Sequence, residues 1–156
     1  MIVFRISSNE YAGKLQASGI AARWNSAKQN VLYTSESRAL ACLENLVHRS
    51  SSQLFGLFRT QVIEIPDLMN INSIEEIKLP EKWFTTEKVS VCRGLGSSWY
   101  VSSVSSVLKV PSALIPKECN YVIHTVHPDY KQIKLLDIEE FYFDPRMITI
   151  GIGDER

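Results

Sequence analysis

Cysteine is scarce in this chain of 156 residues: Cys42, Cys92 and Cys119 are odd in number and widely spaced, with no CxxC pair. That excludes a disulfide framework and a Cys-based structural zinc site, and favours free thiols in a reducing compartment. Net charge is also lacking, with 17 Lys and Arg against 17 Asp and Glu. No global field then draws nucleic acid or anionic lipid, so neither direct nucleic-acid binding nor a membrane partner is expected. No apolar run approaches the roughly 20 residues that span a bilayer, and MIVFRISSNEY turns polar too soon for a signal peptide. The expected location is the cytoplasm. His48, His124 and His127 lack HExxH or Cys/His spacing, so no metal is expected, and no GxSxG elbow marks a serine hydrolase.

What remains is an ordinary globular composition, 45% hydrophobic and 22% charged, long enough for one domain with its own core. Short β-branched runs predict strands at Ile2 to Ile6, Leu57 to Ile65, Val107 to Val110, Asn120 to Val126, Ile133 to Ile138 and Glu140 to Phe143. Ser8 to Ser18 reads as a weak helix ended by Gly19, and Asp67 to Pro80 as a loop. Between Glu81 and Val104, Arg93-Gly94-Leu95-Gly96 is a turn signal, and Ser102 to Ser106 a loop feeding a strand. The apolar run MITIGIG after Pro145 suits a last strand or a partner surface. About seven strands and two or three helices make an α+β fold.

The chain is organised around Gly19 to Arg49. A turn over Asn25 to Asn30 would join a strand carrying Arg23 and Trp24 to a second one ending in Tyr33. A helix follows, with Ser35 or Ser37 as its cap and Ala39, Leu40, Leu43, Leu46 and Val47 at helical spacing. Glu44 falls on the flank of that stripe, where a carboxylate is either a solvated surface charge or a cleft residue. Arg5, inside the opening strand, either faces water at an edge or must be paired. Ser112, after Pro111, either caps a turn or presents a hydroxyl to a cleft.

Arginine, tyrosine, glutamate and serine spread over several elements suit one kind of ligand. Arginines hold phosphates through charge-assisted hydrogen bonds, an aromatic ring stacks on a heterocycle, and a carboxylate orients a ribose hydroxyl or stabilises an oxocarbenium ion. That set fits a dinucleotide cleaved at its N-glycosidic bond, with the protein supplying mainly positioning and electrostatics.

VFRIS near the start, G-x-x-x-RWN at Gly19 to Asn25, VLYTSES...ALACLE at Val31 to Glu44, G-x-x-W at Gly96 to Trp99 and VPSALIP...NYVIHTVHPDY from Val110 to Tyr130 together resemble the RES-domain family. Their order and spacing agree over nearly the whole chain, so residues 1–156 read as a single RES-type domain. The resemblance implies an ADP-ribosyltransferase-like fold, a compact domain with a central, mostly antiparallel split sheet flanked by helices. It implies a toxin of a type II toxin–antitoxin module partnered by an Xre-type helix-turn-helix antitoxin, and leaves open a homodimer or a higher complex. NAD is the implied substrate, cleaved at the nicotinamide–ribose bond by hydrolysis or phosphorolysis; transfer of ADP-ribose to a protein and a non-catalytic nucleotide- or antitoxin-binding module are the alternatives.

Carried over by motif, Glu44 is the implied catalytic carboxylate, with Arg23 and Tyr33 beside it. Arg5 and Arg23 are implied to bind phosphate or ribose, Tyr33 to stack near nicotinamide, and Ser112, with Asn120 in support, to position a ribose or nicotinamide group. The chain departs from the family pattern at Ala22, where a second glycine is usual, at Ser97, where an acid is common, and at His124 and Thr125, where the family has asparagine and proline.

Overall fold

Alternation along β1 (Ile2–Ser8) sends Val3 into one core cluster, with Ile63 and Ile123, and Phe4 and Ile6 into another, with Ala41 and Cys42. The computed structural model describes residues 1–150. β1 is followed by β2 (Val31–Ser35), α1 (Arg38–His48), β3 (Phe58–Glu64), β4 (Ile71–Ser73), α2 (Val89–Ser102), β5 (Val107–Pro111), β6 (Cys119–His124), β7 (Lys134–Phe141) and α3 (Pro145–Ile150). The strands form one sheet in the order β4-β5-β6-β2-β1-β3-β7, and every pairing except β4 with β5 is antiparallel.

The sheet is nearly divided at its middle. β1 and β3 register over seven residue pairs and β2 and β6 over five, but β1 and β2 meet only at Phe4 opposite Ser35. Where neighbouring strands diverge, the face between them opens, and α1 packs beside that gap. Its start is set locally: the Ser37 side chain accepts from Leu40 N at 3.1 Å. Leu40, Ala41 and Cys42 form its buried face, whereas Leu43 and Val47 stay half-exposed.

Several expectations change. The helix over 8–18 reduces to a 3₁₀ turn at Asn9–Tyr11, because the Gln61 side chain takes the carbonyls of Ala12 and Lys14 that a helix would have used. Arg23 and Trp24 are not on a strand; they are the turn residues between Ala22 and Asn25, which form an isolated bridge. Tyr33 lies in the middle of β2, not at its end. The segment with the apparent turn Arg93 to Gly96 is helical, α2, its buried face formed by Cys92, Gly96 and Trp99. Ser103, left-handed at φ 50°, closes that helix by donating its N–H to Trp99 O. β4 emerges inside the expected loop, and the two expected C-terminal strands are one, β7. Of the run MITIGIG, Met147 to Ile150 belong to α3, begun by Pro145, and the rest lies outside the described residues.

Gly96 explains why a glycine sits inside α2. A Cβ there would lie 1.9 Å from Trp24 O, so only glycine lets the helix press against the 22–25 turn. Trp24, Trp83 and Trp99 fill the cluster beneath, with Val110 and Val122 of the sheet.

Candidate active site

Glu44 leaves α1 toward the ends of β5 and β6. Its Oε1 accepts from Ser112 Oγ at 3.0 Å and from Asn120 Nδ2 at 2.6 Å. Oε2 faces His48 Nε2 at 3.7 Å, one helical turn on, where the histidine side chain is 75% exposed. Burial pushes the Glu44 carboxyl up, but the nearby His48 imidazole and the hydrogen bonds from Asn120 and Ser112 outweigh it and leave the group below its ordinary value. The carboxylate is therefore ionised at neutral pH, with Oε1 holding two hydrogen bonds and Oε2 facing His48.

Each partner is itself fixed. Ser112 Oγ accepts from Leu114 N and Ile115 N, both at 3.1 Å, so its proton is left for Glu44. Ser112 thus caps the turn after β5, and its buried hydroxyl is spent on Glu44. Asn120 Oδ1 accepts from Ser35 Oγ at 2.7 Å, which turns the amide so that Nδ2 points to the carboxylate. Ser35, Ser112 and Asn120 are all buried. Buried polar groups of this kind are retained only when paired, and here every polar atom of the group has a partner.

Tyr33 shares the β2 face of Ser35 by alternation, and its backbone registers with Val122. The phenol donates to Asn25 Oδ1 at 2.8 Å and accepts from Trp24 N at 3.0 Å, tying β2 to the turn. Burial raises its pKa well above the ordinary tyrosine value, against smaller lowering contributions from the Trp24 N–H, Arg93 and Arg23. The hydroxyl is thus a neutral structural link, and the ring is what remains for a ligand.

The two arginines stand differently. Arg23 Nη1 donates to Trp83 O at 3.0 Å and Thr85 O at 3.3 Å, and Nη2 to Phe84 O at 2.9 Å, so the guanidinium clamps the 83–85 segment. Arg5 alternates with Phe4 and Ile6 and leaves β1 on the face away from α1, where Nη1 donates to Gln61 Oε1 at 2.8 Å. Burial, then the charge of Arg49, lowers its pKa. Hydrogen bonds thus join Glu44, Ser112 and Asn120 directly; Tyr33 stands two residues from Ser35 on β2, Arg23 belongs to the turn bonded to Tyr33, and Arg5 is on the other side of the sheet.

Residues that sequence pattern does not single out complete the site. In sequence Ser35 looks only like a helix cap, Asn25 only like a turn residue, and Arg93 only like part of a turn. His48 is legible, being four residues after Glu44 on the same helix. The departures from the family pattern also have partners: Ser97 Oγ bonds Ser26 Oγ at 2.8 Å and Gln29 Oε1 at 3.0 Å, and the His124 ring stacks on Tyr100 at 3.9 Å. His124 and His127 meet edge to face at 5.8 Å, in service of the Tyr100 end of α2.

The same fold occurs in a solved toxin–antitoxin assembly. The crystal structure of the M. tuberculosis MbcT-MbcA toxin-antitoxin complex superposes with a TM-score of 0.73 at 14% identity, over 96% of this chain and 87% of that one. The RES domain profile matches residues 2–144, and the chain belongs to the RES domain family. Among its relatives are the "Prs ADP-ribosylating toxin" of Sphingobium sp. (strain YBL2), 40% identical over 129 residues covering 81% of this chain and 80% of that protein, and "Toxin Res" of Yersinia enterocolitica, 31% identical over 153 residues covering 94% and 99%.

Proposed function

We propose that the protein is the toxin of a toxin–antitoxin pair and that it breaks the nicotinamide–ribose bond of NAD. The observation that carries this is the ionised, partly exposed Glu44, with Oε1 locked by Ser112 and Asn120 and Oε2 facing only the exposed His48. As the bond from C1′ to the pyridinium nitrogen breaks, nicotinamide leaves with the bonding pair and becomes neutral. Positive charge develops on the ribose, and Oε2 stabilises it or holds a ribose hydroxyl. Water or phosphate then adds at C1′ and loses its proton to solvent. The Tyr33 ring offers a stacking surface for nicotinamide, and Ser112 and Asn120 keep the carboxylate oriented. Arg23, whose Nε has no hydrogen-bond partner among the described residues, lends its charge to the phosphate end; Arg5 would join only if a phosphate reaches through the gap between β1 and β2. No metal is required in this scheme.

Transfer of ADP-ribose to a protein is the second reading, and the Sphingobium relative's name favours it. It shares the bond-breaking step and differs only in the nucleophile. An antitoxin partner is supported by the toxin–antitoxin complex with the same fold; that it carries an Xre-type helix-turn-helix rests on the family resemblance. Incubating purified protein with adenine-labelled NAD tests the scheme. Free nicotinamide with label in small molecules supports hydrolysis or phosphorolysis, and label on protein supports transfer. Tight NAD binding with no nicotinamide released over hours would instead mark a binding module.

A further inference from the structure

Arg93 lies one turn before Gly96 on the face of α2 that meets the 22–25 turn. Its Nε donates to Ala22 O at 2.8 Å, and among the described residues neither Nη has a hydrogen-bond partner. It is half-buried. Arg23, the neighbouring guanidinium, has both Nη groups on the carbonyls of Trp83, Phe84 and Thr85. One arginine is thus consumed by the fold, while the other is pinned by its Nε with its two-pronged edge open.

That edge is placed beside the site. Ala22 adjoins the turn whose Trp24 N and Asn25 side chain are bonded to the Tyr33 hydroxyl. The charges felt at that hydroxyl include Arg93, Arg23 and Glu44. A planar guanidinium held at one nitrogen loses little further freedom on binding, and its Nη pair matches two oxygens of a phosphate.

We propose that Arg93 is the residue that grips phosphate oxygens at this site, while Arg23 holds the 83–85 segment in place. The inference rests on the NAD reading above. Two sources offer the same chemistry, the pyrophosphate of the dinucleotide and free inorganic phosphate acting as the nucleophile. The pyrophosphate is favoured, since Arg93 and Glu44 act at Tyr33 from different elements, α2 and α1, as a ligand with separated phosphate and ribose ends requires.

Calorimetric titration with ADP-ribose, which has no bond left to cleave, tests this on wild type, Arg93→Gln and Arg93→Lys. Charge-assisted hydrogen bonds of this kind correspond to a loss of about 10- to 100-fold in affinity for Arg93→Gln, with partial recovery in Arg93→Lys. Nicotinamide riboside, lacking phosphate, should bind all three alike. Raising the salt should weaken wild type more than Arg93→Gln. Equal ADP-ribose affinity and salt dependence in wild type and Arg93→Gln overturns the proposal while leaving the NAD reading intact. Absence of ADP-ribose binding to wild type overturns both. Loss that is as large for nicotinamide riboside assigns Arg93 to holding the turn and also overturns it. Should Arg93→Gln fail to fold, Arg93→Lys decides the question: unchanged ADP-ribose affinity when inorganic phosphate is added in excess points away from a phosphate contact, and competition supports one. If phosphate addition speeds nicotinamide release in wild type but not in Arg93→Lys, free phosphate is the ligand and the pyrophosphate assignment fails.

Discussion

Ser112 Oγ donates to Glu44 Oε1 at 3.0 Å across 68 residues of sequence, joining the end of β5 to the flank of α1. The same hydroxyl receives two backbone N–H groups, so its proton has one direction left. A carboxylate oriented in this way needs no rearrangement when charge develops in front of it, and that readiness is the electrostatic contribution attributed to the site.

The pH dependence follows from the groups around that carboxylate, His48, Asn120 and Ser112. Because the fold holds the Glu44 carboxyl below its ordinary value, the ionised form is favoured in the folded state. Its contribution is full above the unfolded carboxyl value and is lost as pH falls through the lower folded one. Wild-type nicotinamide release should therefore be flat on the acid side down to below the ordinary glutamate range. In Ser112→Ala and Asn120→Leu the acid limb should move upward, and Ser112→Ala should also lose about 1–3 kcal/mol of stability from its orphaned amides. Coincident acid limbs in wild type and both variants would contradict this.

Ser35 acts on Glu44 only through Asn120, as a positioning residue. Ser35→Ala leaves Asn120 Oδ1 without its buried donor, so the amide is free to turn. The expected result is a fall in kcat of about 10-fold with KM little changed, as for a lost interaction of about 1.4 kcal/mol in the transition state. Ser35→Thr, which keeps the hydroxyl, should recover most of it. An equal loss in both variants would point to packing alone.

Gly96→Ala trades a better helix residue for a collision with Trp24 O. Relief of the glycine penalty is worth about 1 kcal/mol, whereas overpacking costs about 1–3 kcal/mol. The variant should unfold at a lower temperature and bind ADP-ribose more weakly, because the 22–25 turn must move. Gly94, where an added methyl would meet nothing within 4 Å, is the control, and Gly94→Ala should be neutral or stabilising. Stabilisation by both substitutions would show that α2 and the turn are not in close contact.

Tyr33→Phe removes two hydrogen bonds, to Trp24 N and Asn25 Oδ1, and keeps the ring. Stability should fall by about 1–3 kcal/mol through the orphaned Asn25 and Trp24 groups, while stacking survives. Denaturant melts together with NAD affinity check this; a large affinity loss at unchanged stability would give the hydroxyl a direct ligand role.

How much of the fold and site is legible in the sequence depends on how local each cause is. The start of α1 at Ser37 and the flank position of Glu44 follow from neighbours in sequence, and both are legible. α2 is not, because Gly94, Gly96 and three valines argue against a helix, and what imposes it is the burial of Cys92 and Trp99 with the Trp24 carbonyl against Gly96. β4 is three residues long and paired to β5 from outside, too short to show alternation. The meeting of Glu44 with Ser112 and Asn120 is implied by family resemblance and by no local pattern. Ser35 and Arg93 escape sequence reading as site residues because their partners, Asn120 and Ala22, are more than 70 residues away.

The most direct test is nicotinamide release from NAD by wild type and Glu44→Gln, with folding checked by thermal melting. Glutamine keeps an oxygen for Ser112 and Asn120, so the fold should persist. Release by wild type that drops at least about 100-fold in Glu44→Gln is the predicted result. Release at the wild-type rate by a folded Glu44→Gln would contradict the account at its centre.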